Sequence, residues 1–209
     1  MSIKLALDVV AAQQQALKIL GDFIAENRVK YEKLLEILKP VAASNYRQRI
    51  MITGVGKNSN LATKASESFA SLGIPSMYLN TCHYSHGDAG FIGHDDVVIH
   101  VSRSGKTDEM QYMAKHLRTI RPNVTQILLH CNTNLTDEQK APFDMEFGVP
   151  NIVECDVNQL APTTSTTVLL TLLDTIGVTL SDYLQFTRED FYSYHPGGSL
   201  GAMLRAESK

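Results

Sequence analysis

Arg49-Ile50-Met51-Ile52-Thr53-Gly54-Val55-Gly56-Lys57-Asn58-Ser59 is the stretch whose reading decides the fold. A short run of β-favouring residues ends in a Gly-x-Gly turn, and helical periodicity begins at once. Leu61, Ala65, Phe69 and Leu72 recur on one face of a helix over 57–72, which Gly73 stops, with Pro75 just beyond. The same grammar repeats along the chain. Strands are predicted at 76–79, 96–101, 125–130 and 145–149, the last extending as far as Val153. Helices are predicted at 107–119 and 165–183. Alternating strands and helices imply an α/β, three-layer α/β/α sandwich around a central, mainly parallel five-stranded sheet.

Ahead of it, Val9, Val10, Leu17, Leu20 and Ile24 mark one amphipathic helix, and Tyr31, Leu34, Leu35 and Leu38 a second that Pro40 closes. Their apolar stripes must be buried on the chain's own domain or on another subunit, and the sequence leaves both open. The expected organisation is N-terminal helical arms over 1–44 and one domain with a C-terminal tail over 45–209.

Composition narrows the partners. The 209 residues are 44% hydrophobic and 20% charged, with a formal charge of −3. With no basic run, nucleic acid is not an expected partner, and an anionic ligand has to be held locally. Cys82, Cys131 and Cys155 have no framework spacing and read as buried or half-buried thiols of a reducing compartment. Asp8 and Gln13 to Gln15 interrupt any leader-like apolar run, and no stretch is read as a membrane span. The expected location is the cytoplasm.

Two look-alike motifs fail on inspection. Gly54-Val55-Gly56 lacks the third glycine of a dinucleotide fingerprint, because Ser59 stands in its place. Ser104-Gly105-Lys106-Thr107 resembles the end of a P-loop, but His100 occupies the upstream glycine position. Cys82, His83 and His86 lie close together without a second cluster to complete a tetrahedral metal set. Neither a cofactor nor a metal is expected.

The remaining polar loops sit at strand C-terminal ends, where parallel sheets bind ligands. They carry Gly54, Gly56 and Ser59 after the first strand, and Ser102, Ser104, Gly105 and Thr107 after the third. Thr163, Thr164 and Ser165 open the long helix after the fifth. Hydroxyls and free N–H groups at helix N-termini suit a phosphate monoester, although a lone Ser/Thr run is commonly just an N-cap.

Five segments occur in register: Gly54-Val55-Gly56-Lys57; His86-Gly87-Asp88; Ser102-x-Ser104-Gly105-x-x-x-Glu109; Glu154 with Leu160-Ala161-Pro162-Thr163-x-Ser165-Thr166-Thr167; and His195-Pro196-Gly197-Gly198-x-Leu200-Gly201. In this the chain resembles the arabinose 5-phosphate isomerases, enzymes of the sugar-isomerase (SIS) fold that supply the precursor of the eight-carbon acid Kdo. The resemblance spans residues 45 to 204. It implies interconversion of D-ribulose 5-phosphate and D-arabinose 5-phosphate through an enediol, for lipopolysaccharide or capsule. It implies Lys57, His86, Glu109, Glu154 and His195 as active-site residues. It also implies a homotetramer in which the tail reaches a neighbour's site. Pathway logic adds CMP-Kdo as an inhibitor.

The chain departs from the family pattern at Ser59-Asn60 (commonly Gly-His), His83 (commonly Glu) and Lys106 (commonly Glu). Another SIS isomerase, acting for example on a hexulose 6-phosphate, or a sensing domain that binds a sugar phosphate or nucleotide sugar, are the alternatives. The chemistry needs a base near C1 and C2, a polarising group and a proton shuttle, which carboxylates and histidines supply near neutral pH. Glu109 is preferred to Glu154 as the base, and His86 and His195 are assigned to ring opening and proton relay.

Overall fold

The computed structural model describes residues 3–197; Gly198, Leu200 and Gly201 of the C-terminal motif lie outside the described residues. In chain order the elements are α1 (Ile3–Glu26), α2 (Arg28–Ala42), β1 (Ile50–Gly54), α3 (Lys57–Ser71), β2 (Ser76–Tyr78) and α4 (Thr81–Tyr84). A 3₁₀ turn (Asp88–Phe91), β3 (Val97–Ser102), α5 (Asp108–Ile120), β4 (Thr125–His130) and α6 (Asp137–Lys140) follow. The chain then forms β5 (Met145–Gly148), α7 (Thr164–Tyr183) and α8 (Arg188–Tyr194).

The sheet order is β2-β1-β3-β4-β5, and every neighbouring pair is parallel. From β1 the chain leaves to one side for β2, then crosses back to β3 on the other side. Right-handed crossovers in opposite directions place α3 and α5 on opposite faces, and leave a switch point between β1 and β3.

Strand side chains alternate between two cores. Ile50, Ile52, Val97, Ile99, Val101, Ile127 and Leu129 join α1, α2, α3 and α7 in the larger one. Met51 and Val98 face Met113 and Leu117 of α5 and Tyr84 of α4 in the smaller. All of β1 and β3 is buried, which is why these strands read as apolar runs and not as alternating ones.

The structure revises several expectations. Pro40 does not close α2, which continues to Ala42; a proline near the last turn forfeits little, and Ala43 N still donates to Lys39 O at 2.9 Å. β5 ends at Gly148 and does not extend to Val153. Cys82 is exposed and not buried. α7 is long and apolar enough to cross a membrane by length and composition, contrary to the expectation of no such stretch. Ten of its residues are nevertheless buried, among them Val168, Leu169, Leu172, Leu173 and Ile176 in the larger core.

Helix α1 divides its apolar residues. Ala16 and Leu20 are buried in the same core as the sheet, whereas Ile3, Leu7 and Val10 are 79%, 62% and 53% exposed. The arms are therefore packed on the chain's own domain along one face and left open along another.

On the α5 side of the sheet a polar pair is sealed inside. His100 Nε2 lies 2.9 Å from Gln126 Oε1, and Gln126 Nε2 donates to the carbonyls of Ala114 and Pro142. Burial pushes the His100 imidazole down to about 4 and also lowers His130. A histidine held neutral in the fold but free to protonate when unfolded makes the unfolded chain bind more protons between about pH 6.5 and 4. Stability is therefore expected to fall as pH drops through that window, His100 alone contributing up to about 3 kcal/mol. In urea titrations at pH 7 and pH 4.5, His100→Gln should lose less stability on acidification than the parent chain. An equal loss in both would rule His100 out as a source of the acid sensitivity.

Candidate active site

Because every strand is parallel, the carboxyl ends of β1, β3, β4 and β5 open on one edge. Gly54 pairs with Val101, and Ser102 with His130, so the loops after β1, β3 and β4 are neighbours. Glycine is required at 54, since a Cβ there would come within 2.7 Å of the Asn58 carbonyl oxygen where α3 begins against the strand end. Gly105 has φ +66°, which favours glycine in the turn from β3 to α5.

The β3–α5 loop is braced internally. Ser102 Oγ accepts from Gly105 N at 3.0 Å and lies 3.1 Å from Thr107 Oγ1. Ser104 Oγ accepts from Lys106 N at 3.1 Å, and Asn132 Nδ2 donates to Ser104 O at 2.7 Å. Among the described residues no side chain caps the first turn of α5, so its leading N–H groups are open to a ligand. Glu109 is exposed and is the second residue of this helix, nearer the loop than the full turn the sequence suggested.

At α7 the situation is reversed. Glu154 is buried to 2% exposure. It accepts from Thr163 N (2.9 Å), Thr163 Oγ1 (3.1 Å) and Ser165 N (3.1 Å), and from the Ser165 hydroxyl. Its Oε1 also forms an ion pair with Arg103 Nε at 2.8 Å. Burial by itself would raise this carboxyl, but the hydrogen bonds from Ser165 and Thr163 outweigh it and hold the group below its ordinary value. The donors of Thr163 and Ser165, expected from the sequence to face a phosphate, are thus occupied by a carboxylate of the same chain. Thr164 Oγ1 is buried without a partner among the described residues.

Lys57 and His86 are exposed on the same edge. Lys57 opens α3, whereas His86 follows α4, which a 2.8 Å contact between Thr81 Oγ1 and Thr53 Oγ1 ties to the end of β1. Ser59 Oγ donates to Gly56 O at 2.6 Å, behind the turn. Asn58 Oδ1 is buried without a partner among the described residues. Neither Asn58 nor Arg103 stood out in the sequence, where the first is one polar residue in the opening turn of a helix and the second lies inside a loop. Among the described residues no group of three or more His, Cys, Asp or Glu side chains is gathered as a metal site.

His195 lies apart from the others. Its Nδ1 contacts Phe191 O at 2.8 Å, and its Nε2 is 3.2 Å from Ser71 Oγ. Its ring stacks on Phe191 with centroids 4.0 Å apart. Ser71 ends α3 and Lys57 begins it, so at 1.5 Å per residue their backbones are about 21 Å apart. The histidine borders a cavity of about 600 Å³ with Tyr46, Arg49, Ser71, Ser76 and Tyr194, at the amino-terminal edge of the sheet.

No protein-family model matches the chain. It is similar to the arabinose 5-phosphate isomerase KpsF of Escherichia coli, with 32% identity over 93% of this chain and 56% of the relative. It is likewise similar to the arabinose 5-phosphate isomerase KdsD of Pseudomonas aeruginosa, with 36% identity over 75% of this chain and 47% of the relative. The chain spans about half the length of these curated relatives. A protein of Escherichia coli CFT073 solved in complex with arabinose 5-phosphate superposes with a TM-score of 0.79 at 28% identity, covering 94% of this chain and all of the other. The architecture is the SIS fold.

The network at α7 makes a prediction independent of any substrate. Glu154→Ala removes the acceptor from a set of buried donors and from Arg103. It should lower the unfolding free energy by about 1–3 kcal/mol, as leaving buried donors without their acceptor does. A loss below about 1 kcal/mol in urea denaturation would mean that the carboxylate does not hold the loop.

Proposed function

We propose that this chain interconverts D-ribulose 5-phosphate and D-arabinose 5-phosphate in the cytoplasm, supplying Kdo for lipopolysaccharide or capsule. The observation that carries this reading is the uncapped first turn of α5, with Ser102, Ser104 and Thr107 at its entrance and Glu109 inside it. An anion-ready end and a carboxylate on one rigid helix suit the phosphate and the reacting carbons of one small sugar. The similarity to arabinose 5-phosphate isomerases over most of the chain supports the choice of sugar.

Glu109 is the base. Glu154 has its oxygens engaged by Thr163, Ser165 and Arg103 and is held below its ordinary pKa, which makes it a poor proton acceptor and a good brace. In the ketose-to-aldose direction Glu109 takes a proton from C1. The electron pair forms the enediol double bond as the C2 carbonyl oxygen gains a proton. A proton then returns to C2, and loss of the O1 proton leaves the aldehyde. His86 shuttles protons between the oxygens and opens the arabinose furanose ring, and Lys57 offsets the charge of the enediolate. Ribulose 5-phosphate has its 5-oxygen esterified and cannot close a stable ring, so ring opening is needed in one direction only.

His195, at the far edge of its own sheet, acts on the site of a neighbouring copy, which makes the active form an oligomer, in this reading a homotetramer. The open outer stripe of α1 gives such an assembly an apolar surface to bury.

Purified chain incubated with ribulose 5-phosphate should produce arabinose 5-phosphate, and Glu109→Gln should slow it at least ~10²-fold. Absence of turnover on this substrate, beside a panel of hexose and heptose phosphates, sinks the isomerase reading. Co-assembly of Glu109→Gln with His195→Asn tests the shared site. About a quarter of the sites should regain both residues if each site draws them from different copies. If mixed oligomers are no more active than either parent, His195 does not work in trans.

A further inference from the structure

Among the described residues the buried carboxylate of Glu154 is paired with one cation, Arg103. Arg103 follows the last residue of β3, and its carbonyl accepts from Cys131 N at 3.0 Å, which fixes its backbone as a continuation of the sheet. Its Nε is 2.8 Å from Glu154 Oε1; the glutamate side chain is 0% exposed and the arginine side chain 45%. Among the described residues the two terminal guanidinium nitrogens have no hydrogen-bond or ion-pair partner. The guanidinium is thus anchored by one nitrogen and open at the other two.

Lys57 and Lys106, the other cations of these loops, are exposed, and neither has an ion-pair partner among the described residues. A dianionic group entering here meets Asp108 and Glu109 on α5 and Glu154 behind Arg103. It needs a positive charge already in position, and a planar guanidinium with a free edge fits two phosphate oxygens better than a mobile ammonium.

We propose that Arg103 is a specificity-determining residue that grips the phosphate of the substrate with its two terminal nitrogens while Nε stays on Glu154. The assignment rests on the sugar-phosphate reading above, but its test uses inorganic phosphate and does not depend on turnover. Arg103 also places the phosphate relative to Glu109: both belong to the same β3–α5 segment, one anchored to the sheet and the other to the helix.

Removing the arginine alone strands a buried carboxylate, so the informative comparison is Glu154→Gln against the double variant Arg103→Gln/Glu154→Gln. Phosphate affinity would be measured by calorimetry at constant ionic strength, with chloride replacing phosphate. The double variant should bind phosphate at least tenfold more weakly than Glu154→Gln. Arg103→Lys, which keeps the charge balance and serves if the glutamine variants do not fold, should bind at least threefold more weakly than the parent chain. Equal phosphate affinity within each pair shows that Arg103 only neutralises Glu154, and overturns the proposal. So does failure of the parent chain to bind phosphate at all. Arginine-dependent phosphate binding without turnover of any sugar phosphate leaves this inference standing and removes the isomerase reading instead.

Discussion

Five strands running the same way impose the constraint from which the rest of the structure follows. A parallel sheet delivers every strand's carboxyl end, and the N-terminus of each crossover helix, to a single edge. Here the order β2-β1-β3-β4-β5 places the reversal between β1 and β3, so the glycine turn at 54–56 and the serine loop at 102–107 lie side by side at that edge. The same arrangement covers both faces of the sheet. Polar side chains of the central strands then meet partners inside, as His100 Nε2 and Gln126 Oε1 do, while His100 Nδ1 has none among the described residues.

An edge that gathers several helix N-termini gathers several places where an anion is stabilised. The chain does not treat them alike. α7 receives an internal anion, Glu154, which ties the β5–α7 loop to Arg103 at the end of β3. Among the described residues α5 carries no such cap. The filled terminus ties its loop in place, and the other keeps backbone donors of the kind that suit an anion. The two are joined through Arg103, so the geometry of the open site is set by a carboxylate whose own oxygens are already engaged.

The opposite edge has its own logic. α8 is closed at its start by a capping box between Thr187 and Asp190, and Tyr46 and Tyr194 meet hydroxyl to hydroxyl at 2.8 Å. Together these seat His195 beside Ser71, at the end of α3 remote from Lys57. A histidine stacked on an aromatic ring and spanned by two contacts is positioned, not stranded. Its seat at the far end of α3 holds it about 21 Å from Lys57 of its own chain.

The order of elements, their period and the single sheet edge carrying the polar loops were legible in the amino-acid sequence. The reason is that they are local: runs at 50–52, 97–101 and 127–129 that are apolar but for His100, glycines at 54 and 56, and helical stripes such as Leu61, Ala65 and Phe69 depend on near neighbours along the chain. The resemblance of the five motifs also named Lys57, His86, Glu109, Glu154 and His195 as a set. What each of them does could not be read that way. Whether Glu154 meets a substrate or the N-terminus of α7, whether Arg103 is a loop cation or a counter-ion, and which edge His195 occupies all depend on segments far apart in sequence being brought within hydrogen-bond range. Only tertiary packing decides such approaches, because the strength of a charge or a donor is set by burial and by its partners in space and not by its place in the chain.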